Sequence, residues 1–207
     1  LINLTEEDIP ESLPDTLKTL TLDCAKNIPK KLIKTALVSK NLAELNLGSC
    51  DLINLTEEDI PEFLPDTLKT LAIFYAKKIP QQLIKSALVS KNLAELNLGG
   101  CDLINLTEED IPESLPDTLK KLVMHYAKNI PQKLIKTALV SKNLAELNLA
   151  GCDSLNLREE DIPESLPDTL KILILENIEK DNAPLSKFFI SALASKNLAE
   201  LNLGGCD

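Results

Sequence analysis

The sequence predicts an α/β solenoid: a parallel β-sheet of short strands along one face, with helices and single 3₁₀ turns along the other. Three observations carry that expectation. LINLTEEDIPESLPDTLKTL (1–20) returns three more times with few changes, as LINLTEEDIPEFLPDTLKTL (52–71), LINLTEEDIPESLPDTLKKL (103–122) and SLNLREEDIPESLPDTLKIL (154–173). Cys50, Cys101, Cys152 and Cys206 mark the period as 51, 51 and 54 residues. Each period splits into two unequal halves, and both halves contain Leu-x-x-Leu-x-Leu. A unit of this size cannot bury its apolar face alone, so neighbours must stack. Residues 1–207 thus read as one elongated domain of four units and eight repeats.

The strands come from the central triplets. The A halves read LAELNLGSC (42–50), LAELNLGGC (93–101), LAELNLAGC (144–152) and LAELNLGGC (198–206). The B halves read LKTLTLDCA (17–25), LKTLAIFYA (68–76), LKKLVMHYA (119–127) and LKILILENI (170–178). A triplet such as Leu45-Asn46-Leu47 alternates in and out with period two, the mark of a strand with one buried face.

The connections differ between halves. NIPKKLIKTALVSKN (27–41) places Ile33, Ala36 and Leu37 on one helical face. Asn27 reads as its N-cap, Pro29 stands where a missing N–H costs nothing, and the length suits about three turns. After an A strand, Thr5-Glu6-Glu7-Asp8 can cap one short turn before Pro10 and Pro14 stop it. In the fourth unit three inserted residues put Phe188, Phe189 and Ile190 where earlier helices have Leu-Ile-Lys, which predicts a longer arc with Ile190 exposed.

The repeats resemble those of leucine-rich repeat proteins, with LxxLxLxxC in place of LxxLxLxxN. KTALVSKNLAELNLGSC (34–50) is similar to the helix-bearing, ribonuclease-inhibitor-like and cysteine-containing classes. IPESLPDTLKTL (9–20) is similar to the short LPxxLxxL repeats of bacterial surface and effector proteins. The chain departs from both by alternating the two types, and by Ala25, Ala76, Ala127 and Ile178 at the ninth position of the B halves. The resemblance implies a horseshoe with strands lining the concave face, and a bacterial effector or surface protein as its source.

Composition excludes several functions. A net charge of -10 with no long basic run opposes nucleic acid and anionic membrane as partners. No stretch is long and apolar enough for a membrane span. The four periodic cysteines stand two strand spacings apart, about 10 Å, beyond the roughly 7 Å limit for a disulfide and outside metal-ligand geometry. They read as buried reduced thiols in a reducing compartment, which points to the cytoplasm. His125 is the only histidine, and neither Cys24 nor Glu176 comes within proton-transfer reach of it, so no catalysis, metal or cofactor is expected. The acidic TEED runs read as solvated surface.

Function is therefore sought on the strand face. The A halves show nearly the same residues each time, whereas the B halves vary. Their fifth position runs Thr21, Ala72, Val123, Ile174; the seventh runs Asp23, Phe74, His125, Glu176; the eighth runs Cys24, Tyr75, Tyr126, Asn177. Unconstrained drift is one reading. The other is a protein-recognition patch of Phe74, Tyr75, His125 and Tyr126 with Ala72 and Val123 beside it. Gly99 and Gly100 would floor a slot about 10 Å wide, and Glu95, Glu146, Lys69, Lys120 and Lys121 would form its polar rim. A tyrosine at position eight could also lie over the core edge without any partner.

Because the sequence opens and closes inside the repeat pattern, it reads as part of a longer protein. Three functions fit: a non-catalytic scaffold for a protein partner, the substrate-recognition arm of a larger enzyme or effector, and a structural array that associates head to tail through uncapped ends.

Overall fold

The computed structural model describes residues 4–152, 155–178 and 184–206. Among the described residues eight three-residue strands form one parallel sheet in chain order. The B halves supply β1 (Thr19–Thr21), β3 (Thr70–Ala72), β5 (Lys121–Val123) and β7 (Ile172–Ile174), and the A halves β2 (Glu44–Asn46), β4 (Glu95–Asn97), β6 (Glu146–Asn148) and β8 (Glu200–Asn202). The register never slips: Leu20, Leu45, Leu71, Leu96, Leu122, Leu147, Leu173 and Leu201 stand side by side. A shift by one residue would turn this leucine row to water, so burial of one face fixes the pairing. The sheet is open, and the chain is an α/β solenoid as the repeat period requires.

Opposite the strands, each B strand leads to a helix: α1 (Lys30–Leu37), α2 (Gln81–Leu88), α3 (Gln132–Leu139) and α4 (Leu185–Ala194). The A strands β2, β4 and β6 lead to 3₁₀ turns at Glu57–Asp59, Glu108–Asp110 and Glu159–Asp161, and an equivalent turn at Glu6–Asp8 precedes β1. The helical face named from sequence is buried, with Ile33, Ala36 and Leu37 each 2% exposed or less. In α4 Phe188 enters the core, while Ile190 is 57% exposed as expected from the insertion. Part of that insertion, 179–183, lies outside the described residues.

Two helix expectations are corrected. The first three helices span eight residues, about two turns rather than three. Asn27 is not the N-cap: its φ is +54°, and Pro29 occupies the cap position without a side-chain bond. The cap comes from across the repeat. Glu6 accepts hydrogen bonds from the Lys30 and Lys31 N–H groups at 2.7 and 2.8 Å. Glu57 does the same for Gln81 and Gln82, and Glu108 for Gln132 and Lys133. A carboxylate there satisfies orphan N–H groups and complements the positive end of the helix dipole.

The aspartates of the acidic runs have a second structural task. Asp8, Asp59 and Asp110 each accept the backbone N–H and hydroxyl of the threonine three residues earlier. Asp59 also takes Lys30 at 2.7 Å and Lys34 at 3.1 Å from the preceding helix, Asp110 takes Lys85 at 2.6 Å, and Asp161 takes Lys136 at 2.7 Å. The acidic runs are thus ties between units rather than plain solvated surface. That accounts for Glu6, Glu57 and Glu108 staying constant from unit to unit.

These ties set a pH dependence. The Lys30 ammonium and the Thr56 N–H hold Asp59 well below the usual carboxylate range. Partial burial opposes ionisation of Asp110, yet Lys85 and Thr107 bring it down to about 2. The Lys136 ammonium and the Arg158 N–H likewise lower Asp161. A folded pKa below the unfolded value of about 3.9 contributes stability that is present above pH ~4 and lost as pH falls toward ~2. The thermal midpoint should hold from pH 7 to about 5 and drop below about 4. Asp110→Asn should remove on the order of 1 kcal/mol at pH 7 after solvent screening, and flatten the acid limb. A midpoint insensitive to pH between 5 and 2 would contradict these assignments.

Candidate functional site: an aromatic ribbon on glycine

The turn after each strand enters the left-handed region at the eighth repeat position. Gly100, Gly151 and Gly205 lie at φ +65°, +63° and +68°, and so, at +52° to +56°, do Cys24, Ser49, Tyr75, Tyr126 and Asn177. Glycine takes this conformation freely, whereas a side chain there costs roughly 1–2 kcal/mol. Tyr75 and Tyr126 are large residues held in a conformation that disfavours them.

The glycines of the A halves lie directly under these rings. A Cβ built on Gly48 would stand 2.3 Å from Phe74 Cζ, one on Gly99 2.2 Å from His125 Cε1, one on Gly100 2.1 Å from Tyr75 Cδ1, and one on Gly151 2.2 Å from Tyr126 Cε1. Phe74 and His125 therefore fold back onto the preceding repeat, while Tyr75 and Tyr126 fold forward onto the next. Gly99 and Gly100 receive His125 and Tyr75 together.

The rings meet as a continuous band. Phe74 and Tyr75 have centroids 6.4 Å apart at 88°, Tyr75 and His125 5.9 Å at 73°, and His125 and Tyr126 5.9 Å at 79°. All three contacts are edge-to-face, the arrangement favoured by ring quadrupoles. The expected slot is therefore absent: its glycine floor is covered by the rings that were to flank it. Burial lowers the His125 pKa, favouring the neutral ring. Tyr75 and Tyr126 remain 47% and 48% exposed, so the ribbon has one buried and one open side.

Partner sizes match along the stack. Gly48 faces Phe74 and Gly99 faces His125, whereas Ala150 stands where Glu176 takes the place of a ring. Gly100 and Gly151 face Tyr75 and Tyr126, whereas Ser49 stands where the preceding turn carries the short Cys24. Through the first three units variation in the B halves is accompanied by matched variation in the A halves, whereas in the fourth Gly205 faces the small Asn177.

The neighbouring columns are more settled than sequence suggests. Val123 is only 7% exposed, against its expected place on the open face, and Ala72 is half-buried. The constant asparagines have a local role: Asn46, Asn97 and Asn148 Oδ1 accept the N–H two residues on at 2.9, 2.9 and 3.0 Å, shaping the turn beneath each ring. On the rim, Lys121 pairs with Glu146 at 3.0 Å. Lys69 and Lys120 are drawn to the Asp66 and Asp117 carbonyls, and exposed Glu95 stands opposite Lys121 in the register.

The described cysteines are free thiols. Cys50, Cys101 and Cys152 are buried, and each donates S–H to a carbonyl of the preceding B half, Leu22, Ile73 and Met124, at 3.0, 3.1 and 3.1 Å. They are small core residues that also bond between repeats, a contact missed when they are counted as hydrophobes. Burial pushes the Cys101 thiol up to about 12, so it is not a poised nucleophile. Among the described residues no group of three or more His, Cys, Asp or Glu could hold a metal ion, and no helix is long and apolar enough to cross a membrane. Comparison of the chain with protein-family models, curated proteins and solved structures finds no match.

Proposed function

We propose that the chain is a leucine-rich-repeat scaffold that presents its strand face to a protein partner, without catalysis in this segment. One observation carries the reading. Four rings from two B halves form an unbroken half-exposed band, at the cost of left-handed backbone at Tyr75 and Tyr126 and of glycine at four A-half positions. Packing alone does not call for this, because the first and fourth units close the same turns with Cys24 and Asn177.

Rigid aromatic side chains contribute large contact area at low entropic cost, which suits them to the centre of an interface. Phe74, Tyr75, His125 and Tyr126 act as anchors, while Glu95, Lys121 and Glu146 orient the partner. Val123, buried, and Ala72, half-buried, end the strands that precede the ribbon and lie beside it in sequence. Free thiols fit a reducing compartment such as the cytoplasm, including a host cytoplasm for a bacterial effector.

The test is affinity capture from lysate with the native chain and with a Phe74→Ala, Tyr126→Ala variant of unchanged fold by circular dichroism. A partner retained by the native chain should be lost with the variant, a drop of at least about tenfold for two anchors at roughly 1–2 kcal/mol each. Equal retention by both overturns the reading.

A further inference from the structure

We propose that a cavity beside Tyr75 receives an acidic segment of the protein partner. An aliphatic or aromatic side chain of that segment lies against Tyr75, Ile79 and Ile104, and its carboxylates meet Lys77 and Lys78. The inference rests on the protein-binding reading above and names the chemistry of the partner.

The cavity, about 550 Å³, opens between the turn following β3 and the turn following β4. Its apolar wall contains two large side chains left in water, Tyr75 at 47% and Ile104 at 64% exposure. Covering such side chains contributes on the order of 1 kcal/mol each. Tyr75 joins this wall to the aromatic ribbon, so one segment can run from one to the other.

Charge selects the occupant. Among the described residues neither the Lys77 nor the Lys78 ammonium has a hydrogen-bonding or ion-pair partner. The carboxylate of the wall, Asp102, is already engaged, its Oδ1 accepting the Ile104 N–H at 3.1 Å and Asn129 Nδ2 at 2.7 Å. In a chain of net charge -10 a free pair of lysines is a local positive feature that draws an acidic segment to this point.

Lys78 also differs from its equivalents in the first and third units. Asn27, Lys78 and Asn129 share φ values of +54°, +53° and +53°, a conformation asparagine tolerates and lysine does not favour. In the third unit Asn129 ties its turn to Asp102. The second unit has a solvent-facing cation at that place, beside the apolar wall.

The experiment is a titration of the isotopically labelled chain with acetyl-Glu-Asp-Leu-Phe-Glu-Asp-amide, followed by NMR, alongside acetyl-Lys-Lys-Leu-Phe-Lys-Lys-amide. The acidic peptide should give saturable shifts at the Ile104 methyls and the Lys77 and Lys78 amides. Lys77→Gln with Lys78→Asn, the latter restoring the residue of the first and third units, should weaken it about tenfold at low salt. Lys142→Gln, at an exposed lysine outside the cavity lining, should leave this binding within about twofold. Equal binding of the basic peptide, or no loss in the lysine variant, overturns the proposal. Shifts confined to Phe74 and His125 overturn it while leaving the ribbon as a protein-binding surface.

Discussion

Leu96→Ala should lower the unfolding free energy by about 3–4 kcal/mol, read from the midpoint of urea denaturation. Leu96 is fully buried at the centre of β4, between Leu71 and Leu122 in register, and each repeat relies on its two neighbours. Truncation leaves a cavity that adjacent leucines cannot fill without breaking that register. The defect also falls mid-stack, where it uncouples the repeats on either side, so the transition should broaden or split. Leu201→Ala in β8, where the leucine is only half-buried, should cost about 1 kcal/mol. A loss below about 1 kcal/mol at Leu96 would mean that the repeats do not stack through this row.

Gly100→Val should cost about 2–3 kcal/mol and expel the Tyr75 ring. Two effects combine there. The backbone at φ +65° is unfavourable for any side chain and most so for a β-branched one, and the new Cβ would overlap Tyr75 Cδ1 at 2.1 Å. Thermal unfolding gives the stability, and near-ultraviolet circular dichroism reports the loss of an ordered tyrosine. Ser49→Gly provides the control, since it relaxes φ +55° beside the small Cys24 and should be neutral or slightly stabilising. Equal effects of the two substitutions would remove the case that glycine is required beneath the rings.

Much of the architecture was legible because leucine spacing and repeat period are local, redundant signals. Alternation in Leu45-Asn46-Leu47 fixes which face is buried, and four copies of it fix the stack. The helix caps were not legible: Asn27 has the right chemistry, but Glu57 reaches Gln81 across 24 residues, a contact created only by folding. The site was legible as a set of residues and not as a shape. Strands about 4.8 Å apart let a phenyl or imidazole ring cross onto the neighbouring turn, so the small glycines named as an open floor are covered. The signal lay in the pairing of sizes: Gly100 with Tyr75, Gly151 with Tyr126, Ser49 with Cys24. Val123 reads as open by alternation alone, and the structure leaves it 7% exposed.

The ribbon itself is tested most directly by a nuclear Overhauser experiment on the free chain. Cross-peaks from His125 Hε1 to the Gly99 Hα protons and to the Tyr75 ring are expected, together with upfield-shifted Gly99 and Gly100 resonances. Their absence, with averaged tyrosine and histidine signals like those of unstructured peptides, would contradict it.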